Sequence, residues 1–383
     1  MNHSMPKQIG DYNKNQIISI LRDSGPASRV ELSRLLNLSP TAITRNTSQM
    51  LENGMIRECG AELSKMGRKP VLIELCGDFC YVLGIDIVEK TLRVAIADFL
   101  GEIICSAEEP VKREKGAHAV LAQLINALEN IIEKSGVPRE KIWTVTISAP
   151  GIFDYEEGRS RLTSFLEGWD DIDIHAIVED ALSIETMIEN DVNLDVIGES
   201  WKGVGKDYED ILYVKLGQGL AARIVLGNRL IRGEHQMAGE IGYMLPGAAG
   251  TNAVNYENIL RNEAVSRKYS ELGGKNKIDT ISELYALSKN GDKTAKKVMR
   301  QLLDHFAVVL LNSTTVLDSQ VIILGGEACC FEEEEIASLK QRIEQHFFLS
   351  QNIIISGLKN KASLYGAIKQ GLNRVEERIV DIW

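Results

Sequence analysis

Residues 28–54 read SRVELSRLLNLSPTAITRNTSQMLENG, and this stretch carries the start and stop signals of two short helices. Ser28 and Glu31 have the spacing of a capping box, in which each side chain bonds a free backbone amide of the first turn. Ser39-Pro40 places a cap residue before a proline at the first helical position, which predicts a second helix through Asn53 that ends at Gly54. The first helix should bury its apolar residues, which are Val30, Leu32, Leu35 and Leu36.

The second of these helices has one apolar and one polar face. Ile43, Met50 and Leu51 are seven and eight residues apart and therefore share a buried face. Such a helix can enter the major groove of DNA when its other face has no bulky or acidic side chain to block the base edges. The alternative is a helical protein-binding module whose polar face is merely solvated. The polar face, after the cap residue Ser39, consists of Thr41, Thr44, Arg45 and Ser48.

The segments on either side complete a small domain. An amphipathic helix is predicted over about 13–23, and it ends before Gly25-Pro26. Residues 55–75 read as two short strands around a basic, glycine-containing tip, which suits a wing on phosphates or in the minor groove. We therefore interpret residues 1–77 as a winged helix-turn-helix domain. Its predicted DNA contacts are Ser39, Thr41, Thr44, Arg45, Ser48 and, on the wing, Arg68 and Lys69.

The charge of the chain is unevenly distributed. The net charge is −11, yet residues 1–75 contain ten Lys/Arg and seven Asp/Glu, which lets a slightly basic head approach DNA while an acidic body stays off it. No apolar run reaches the roughly 20 residues of a membrane span, and the start lacks a signal-peptide core, so we expect a cytoplasmic protein without a membrane partner. The six scattered cysteines lack zinc-site spacing and are expected to be reduced.

Beyond residue 77 the pattern changes to alternating strands and helices. Two successive α/β units occur, and each opens with a strand hairpin, at 81–98 and at 211–226. This repetition predicts an α/β body over 78–383, with a two-lobed, actin-like fold and a cleft between the lobes. The lobes are expected to comprise roughly 78–192 plus 362–383, and 193–361.

A series of short motifs in a fixed order resembles the ROK family (repressors, open reading frames and sugar kinases), specifically its winged-helix repressor branch, which includes xylose repressors. The resemblance covers nearly the whole chain. The motifs are Gly67-Arg68-Lys69-Pro70, Leu83-Gly84-Ile85-Asp86, Ser148-Ala149-Pro150-Gly151, Gly168-Trp169, Glu189-Asn190-Asp191, Gly217-Gln218-Gly219, Ala238-Gly239-Glu240-Ile241-Gly242, Leu324-Gly325-Gly326 and Leu364-Tyr365-Gly366-Ala367.

The resemblance implies a sugar site in the cleft. Asp191 stands where the family's kinases have the general base that takes a proton from a sugar hydroxyl, and Asn190 and Glu240 match residues that bond sugar hydroxyls. A concave site with several fixed acceptors and amides suits a polyol. A helix N-cap before residue 192 is the structural alternative for Asp191. The resemblance thus implies a sugar site near Gly151, Asn190, Asp191, Glu240 and Tyr243.

Several positions depart from the kinase pattern. The family's glycine-rich phosphate turn is replaced by a segment without glycine at 86–91, and Gln218 replaces a threonine in the second phosphate loop. Tyr243 replaces a histidine, and no Cys or His lies between it and Arg261, so we expect neither a structural zinc nor any other metal or cofactor. An asparagine expected before Gly168-Trp169 is replaced by Phe165 or Leu166.

These observations favour a sequence-specific, homodimeric transcriptional repressor of sugar-metabolism genes that responds to a sugar or sugar phosphate without phosphoryl transfer. Two alternatives remain open. The first is an ATP-dependent sugar kinase with a fused DNA-binding head, and the second is a regulator whose cleft has lost its ligand. Operator DNA is the expected partner, and xylose metabolism is the expected context.

Overall fold

The computed structural model describes residues 5–61, 71–88, 90–154, 159–161, 166–169, 171–247, 250 and 253–382. They form a three-helix head with a small sheet, followed by two lobes that are each built on a five-stranded sheet. The predicted α/β class and the two-lobed body behind the head are confirmed. Within the described residues, no helix is both long enough and apolar enough to cross a membrane.

The head contains the predicted helices and one strand that the sequence did not predict. Its capping box forms, because Ser28 Oγ accepts from Glu31 N at 3.3 Å and Glu31 accepts from Ser28 N at 2.8 Å. Ala27 and the cap residue Ser28 itself pair with the second wing strand as an additional short strand. The elements are α1 (Met5–Ser24), β1 (Ala27–Ser28), α2 (Arg29–Leu36), α3 (Pro40–Glu52), β2 (Ile56–Ala61) and β3 (Val71–Leu75), with the strands in the order β1-β3-β2.

The prediction that α2 buries Val30 and Leu35 is wrong. Val30 is 74% exposed and Leu35 is 58% exposed, whereas Leu32 is fully buried. A helix of eight residues has little more than two turns, so only a narrow stripe of its surface packs against the core. Val30 and Leu35 lie outside this stripe.

The first lobe is built on a mixed sheet with the order β10-β7-β4-β5-β6. Strands β4, β5 and β6 form an antiparallel meander, and β7 and β10 continue the sheet in parallel to β4. The elements are β4 (Tyr81–Val88), β5 (Thr91–Asp98), β6 (Ile103–Pro110), α4 (Ala117–Ser135), β7 (Ile142–Ala149), β8 (Ile152–Asp154), β9 (Arg159–Arg161), α5 (Ile174–Leu182), β10 (Glu185–Asn190) and α6 (Asp191–Lys202).

The second lobe repeats this topology with the order β13-β12-β11-β14-β15. An antiparallel meander is again followed by two parallel strands, which explains why both units open with a hairpin in the sequence. The elements are β11 (Ile211–Leu216), β12 (Leu220–Leu226), β13 (Arg229–Ile231), α7 (Glu257–Leu260), α8 (Asn262–Glu271), α9 (Ile281–Lys289), α10 (Lys293–Leu317), β14 (Val321–Gly326), α11 (Glu333–Glu344) and β15 (Ile353–Ile355). The C-terminal helix α12 (Ala362–Ile382) follows and packs on the sheet of the first lobe.

Helices α6 and α12 cross at very short range. A Cβ atom added to Gly366 of α12 would lie 1.9 Å from the Leu194 carbonyl oxygen of α6, and one added to Gly198 of α6 would lie 2.1 Å from that of Ala362. Only glycine permits backbones to approach so closely. Because α6 begins at the carboxyl end of β10, this crossing ties the end of that strand to the C-terminal helix.

The head and the first lobe share one apolar core. Buried residues of the head, of β4 and β5 and of α12 belong to a single cluster, so no flexible linker separates head from body. Arg22 of α1 reinforces this contact, since it forms an ion pair with Glu376 of α12 and donates to the carbonyl oxygen of Phe99 at 3.2 Å. Its guanidinium carbon also lies 5.1 Å from the centre of the Phe99 ring.

Candidate functional site

Helix α3 presents the polar face that the sequence predicts. Ser39 caps it by accepting from Ala42 N at 3.2 Å, and Pro40 stands at the start. Thr41, Thr44 and Arg45 are exposed and Ser48 is half-buried. Gln49, one turn beyond Arg45, is exposed on the same helix and was not predicted, although its amide can read a base edge as well.

Contacts among the head elements hold α3 in place. Thr47 is buried and accepts from Nε of Arg29 at 3.1 Å, which joins α3 to α2. Arg29 also bonds Glu58 of β2 at 3.2 Å, so the wing strand is tied to both helices. Between Pro40 and Gln49 the helix carries no carboxylate, so its exposed face can approach phosphates without repulsion.

Two of the predicted DNA contacts belong to the predicted tip of the wing. Strands β2 and β3 pair antiparallel, from Ile56 opposite Leu75 to Ala61 opposite Val71, and form the stem of the predicted hairpin. Arg68 and Lys69 lie outside the described residues, and their contact with DNA stays a prediction.

The second candidate site lies where β10 runs into α6, between the two sheets. Asn190 caps α6, since its Oδ1 accepts from the amides of Val192 and Asn193 at 3.0 Å each. Asp191 is the first residue of the helix, so Asn190 takes the capping role that was the alternative for Asp191. The side-chain amide of Asn190 donates to the Gly151 carbonyl oxygen at 2.7 Å, which brings two predicted sugar-site residues together.

Asp191 is engaged by a lysine from the second lobe. Nζ of Lys215, on β11, lies 2.8 Å from Oδ2 of Asp191 and 2.8 Å from Oδ2 of Asp195 on the next turn of α6. Burial raises the pKa of Asp195 to about 7, although the Lys215 ammonium opposes this shift. Burial alone would lower the pKa of Lys215, but the two carboxylates raise it above its ordinary value. Lys215 is therefore protonated at neutral pH.

A buried arginine joins two other predicted residues. Nη2 of Arg223, on β12, lies 2.9 Å from Oε1 of Glu240 and 3.2 Å from Oδ1 of Asn190. Its Nη1 donates to the Ala222 carbonyl oxygen at 2.6 Å. Gly151, Asn190, Arg223 and Glu240 thus form one chain of hydrogen bonds across the cleft.

A third cation completes this arrangement. Arg232, beyond β13, lies 2.5 Å from Oε2 of Glu189, and the other oxygen of Glu189 accepts from Nδ2 of Asn193 at 2.7 Å. All three cations, Lys215, Arg223 and Arg232, belong to the second lobe. The ion pairs of Lys215 with Asp191 and of Arg232 with Glu189 therefore cross from lobe to lobe, whereas Arg223 crosses through its hydrogen bond to Asn190.

Tyr243 and Leu166 stand apart from this network. Tyr243 is 55% exposed, and none of the hydrogen bonds described above involves its side chain. Leu166 is partly buried and packs on the core of the first lobe, while Phe165 lies outside the described residues. The structure thus joins Gly151 to Asn190 directly and Asn190 to Glu240 through Arg223, and it places Asp191 beside them.

Four charged residues of the cleft were not predicted from the sequence, namely Asp195, Lys215, Arg223 and Arg232. Lys215 and Arg223 lie within strands, where a lone charge reads as a solvated position. A signal was nevertheless present, because both residues interrupt strands that are otherwise apolar. A charged side chain in a buried strand is rarely without a partner, so an opposite charge nearby could have been expected.

The described residues contain no group of three or more His, Cys, Asp or Glu that could hold a metal ion. All six cysteines are free thiols. Burial is the main cause that raises the pKa of Cys80, Cys329 and Cys330, which makes these thiols poor nucleophiles at neutral pH.

Comparison with known proteins extends over both parts of the chain. A winged helix-turn-helix DNA-binding model matches residues 11–57, and the ROK family model matches residues 82–370. The xylose repressor of Caldicellulosiruptor bescii is 26% identical over 96% of each chain. The DNA-binding transcriptional dual regulator NagC of Escherichia coli is 21% identical over 82% of this chain and 79% of that protein.

Solved structures show the same architecture. A ROK family transcriptional regulator, described as a homologue of the E. coli MLC protein, superimposes with a TM-score of 0.82 at 20% identity and covers 97% of this chain and 98% of its own. The ROK hexokinase of Thermus thermophilus superimposes with a TM-score of 0.66 at 24% identity and covers 78% of this chain and 99% of its own. With the family model matched over most of its length, the chain is a member of the ROK family.

Proposed function

We propose that this protein is a sugar-responsive, DNA-binding transcriptional repressor that acts as a homodimer on a palindromic operator. The observation that carries the proposal is a winged helix-turn-helix head that shares one apolar core with a ROK body. Relatives that match most of the chain are named repressors, for xylose and for N-acetylglucosamine. A head without a linker can respond to a rearrangement of the body, as a sugar-controlled repressor requires.

The proposed effector is an uncharged sugar in the cleft near Gly151, Asn190, Asp191 and Glu240, with Tyr243 at the rim. The three cations that the described residues place there each contact a carboxylate, so a phosphate group on the ligand would find no cation without a counter-charge among them. Hydroxyl groups suit this setting, because they both donate to carboxylates and accept from guanidinium groups. D-Xylose is the first probe, because relatives that match this chain are named xylose repressors.

The test of this effector site is calorimetry with D-xylose, D-glucose and N-acetyl-D-glucosamine. Asp191→Ala is expected to weaken binding of the accepted sugar about tenfold, since one hydrogen bond to a charged acceptor is lost. Lys215 keeps Asp195 as a partner in that variant, so its charge is not left alone. Asp180→Ala, which removes an exposed carboxylate of α5, is the matched control.

Two outcomes contradict this part of the proposal. Equal affinities of wild type and Asp191→Ala would place the effector elsewhere. Absence of heat with all three sugars, together with operator binding that none of them alters, would favour a regulator with a ligand-free cleft.

Phosphoryl transfer is not part of the proposed function. The carboxylate at the position of the kinase base is already bonded to the Lys215 ammonium at 2.8 Å, and a general base must instead accept the proton of the sugar hydroxyl. The glycine-free segment after Asp86 and Gln218 point the same way. A kinase remains the second candidate because a ROK hexokinase shares the fold.

We therefore expect no ATP-dependent sugar phosphate from the purified protein with D-xylose, D-glucose or N-acetyl-D-glucosamine. ADP release coupled to NADH oxidation measures the reaction, and the Thermus thermophilus hexokinase assayed in parallel serves as the positive control. Sugar phosphate that forms with wild type and disappears in Asp191→Ala would establish the kinase instead.

A further inference from the structure

Arg223 holds the two side chains that should bind sugar hydroxyls. Its side chain is only 3% exposed, and one nitrogen, Nη2, donates hydrogen bonds to both Asn190 Oδ1 and Glu240 Oε1. Asn190 and Glu240 come from different parts of the cleft, one at the end of β10 and the other beyond β13. The guanidinium therefore lies where a bound sugar would lie if it contacted both.

The acceptor capacity of Asn190 leaves no free position for a ligand. An amide oxygen has two lone pairs. Oδ1 of Asn190 already accepts from the amides of Val192 and Asn193 and from Arg223. The two capping bonds belong to the fold and already use both lone pairs, so Arg223 makes the one additional contact that the structure shows on this oxygen, and a sugar hydroxyl can donate there only in place of Arg223.

We propose that Arg223 is an internal occupant of the effector site, which fills the sugar-binding positions of Asn190 and Glu240 until a sugar displaces it. This inference rests on the proposed function. The bond from Arg223 to Glu240 joins two opposite charges, whereas a sugar hydroxyl that takes its place brings no charge of its own, so the displacement of Arg223 lowers the affinity for sugar. Arg223 thereby determines the sugar concentration to which the protein responds.

The displacement also has a mechanical consequence. Arg223 belongs to the sheet of the second lobe, and Asn190 ends a strand of the first, so the bond between them joins the lobes. The pairs of Lys215 with Asp191 and Asp195, and of Arg232 with Glu189, remain to hold the lobes together. Binding of sugar therefore breaks one cross-cleft bond and leaves the neighbouring ion pairs intact. The change reaches α6 first, because Asn190 caps that helix.

The experiment titrates D-xylose, D-glucose and N-acetyl-D-glucosamine into wild type and Arg223→Met by calorimetry. Methionine keeps an unbranched apolar side chain in the same space without its donors. Arg223→Met is expected to bind the accepted sugar about tenfold more tightly than wild type, as the loss of a competing charge-assisted bond implies. Arg229→Met, which changes an exposed arginine on β13 of the same sheet, should leave the affinity unchanged.

Weaker or equal binding by a folded Arg223→Met overturns the inference, because it would make Arg223 an ordinary contact of the ligand or a structural residue. If Arg223→Met does not fold, Arg223→Lys decides: a shorter, non-planar cation cannot hold both partners, so it too should bind sugar more tightly than wild type. If neither wild type nor the Arg223 variants bind any of the three sugars, the proposed effector function fails and this inference with it.

Discussion

Replacing Thr44 and Arg45 together by alanine is expected to weaken operator binding by about 100-fold or more, because each base or phosphate contact of this kind contributes roughly 1–3 kcal/mol. Both side chains are exposed on the first half of α3, on the face opposite buried Ile43 and Met50. Alanine is a good helix former, so the fold of the head should persist. The measurement is a mobility-shift titration on a duplex selected by the wild-type protein from a randomised pool.

A matched control for this variant is Arg34→Ala, since Arg34 is an exposed arginine on α2 of the same head. It removes the same charge and should change affinity far less. The salt dependence separates the two contributions, because loss of a phosphate contact flattens the slope of affinity against salt, whereas loss of a base contact does not. Unchanged affinity of the Thr44/Arg45 variant would remove α3 from the DNA interface.

Gly366→Ala is expected to destabilise the protein by about 3 kcal/mol, at the upper end of what overpacking costs. The added Cβ would meet the backbone of α6 and not a movable side chain, with 1.9 Å to the carbonyl oxygen of Leu194, so the two helices must separate. Scanning calorimetry measures the effect as a lower unfolding midpoint. Since Asn190 and Asp191 begin α6, the variant should also lose affinity for the effector.

Gly247→Ala is the control for this change, because no atom of the described residues lies within 4 Å of the added Cβ and Gly247 has no positive φ. Its unfolding midpoint should equal that of wild type. A Gly366→Ala protein as stable as wild type would mean that the α6–α12 crossing relaxes at little cost. In that case the crossing could not couple the cleft to α12 and, through Arg22 and Glu376, to the head.

The elements that the sequence predicted well are those with strong local signals. The capping box at Ser28, the cap and proline at Ser39-Pro40 and the apolar strands at 81–98 all determine their structure within a few residues. The seven-residue and eight-residue spacings of Ile43, Met50 and Leu51 likewise separated the buried face of α3 from its polar face. The burial of Val30 and Leu35 was wrong because a short helix leaves much of its surface uncovered, whatever its composition.

By itself, the sequence determined the order of the domains, the caps, the polar face of α3 and the family motifs, because these depend on neighbouring residues or on fixed spacings. The tertiary structure alone decided which charges meet. Lys215 reaches Asp191 over 24 residues and Arg223 reaches Asn190 over 33, while Arg22 reaches Glu376 over 354. Partners so far apart are brought together by the packing of whole sheets and helices. No local sequence pattern predicts that Arg223 lies between Asn190 and Glu240.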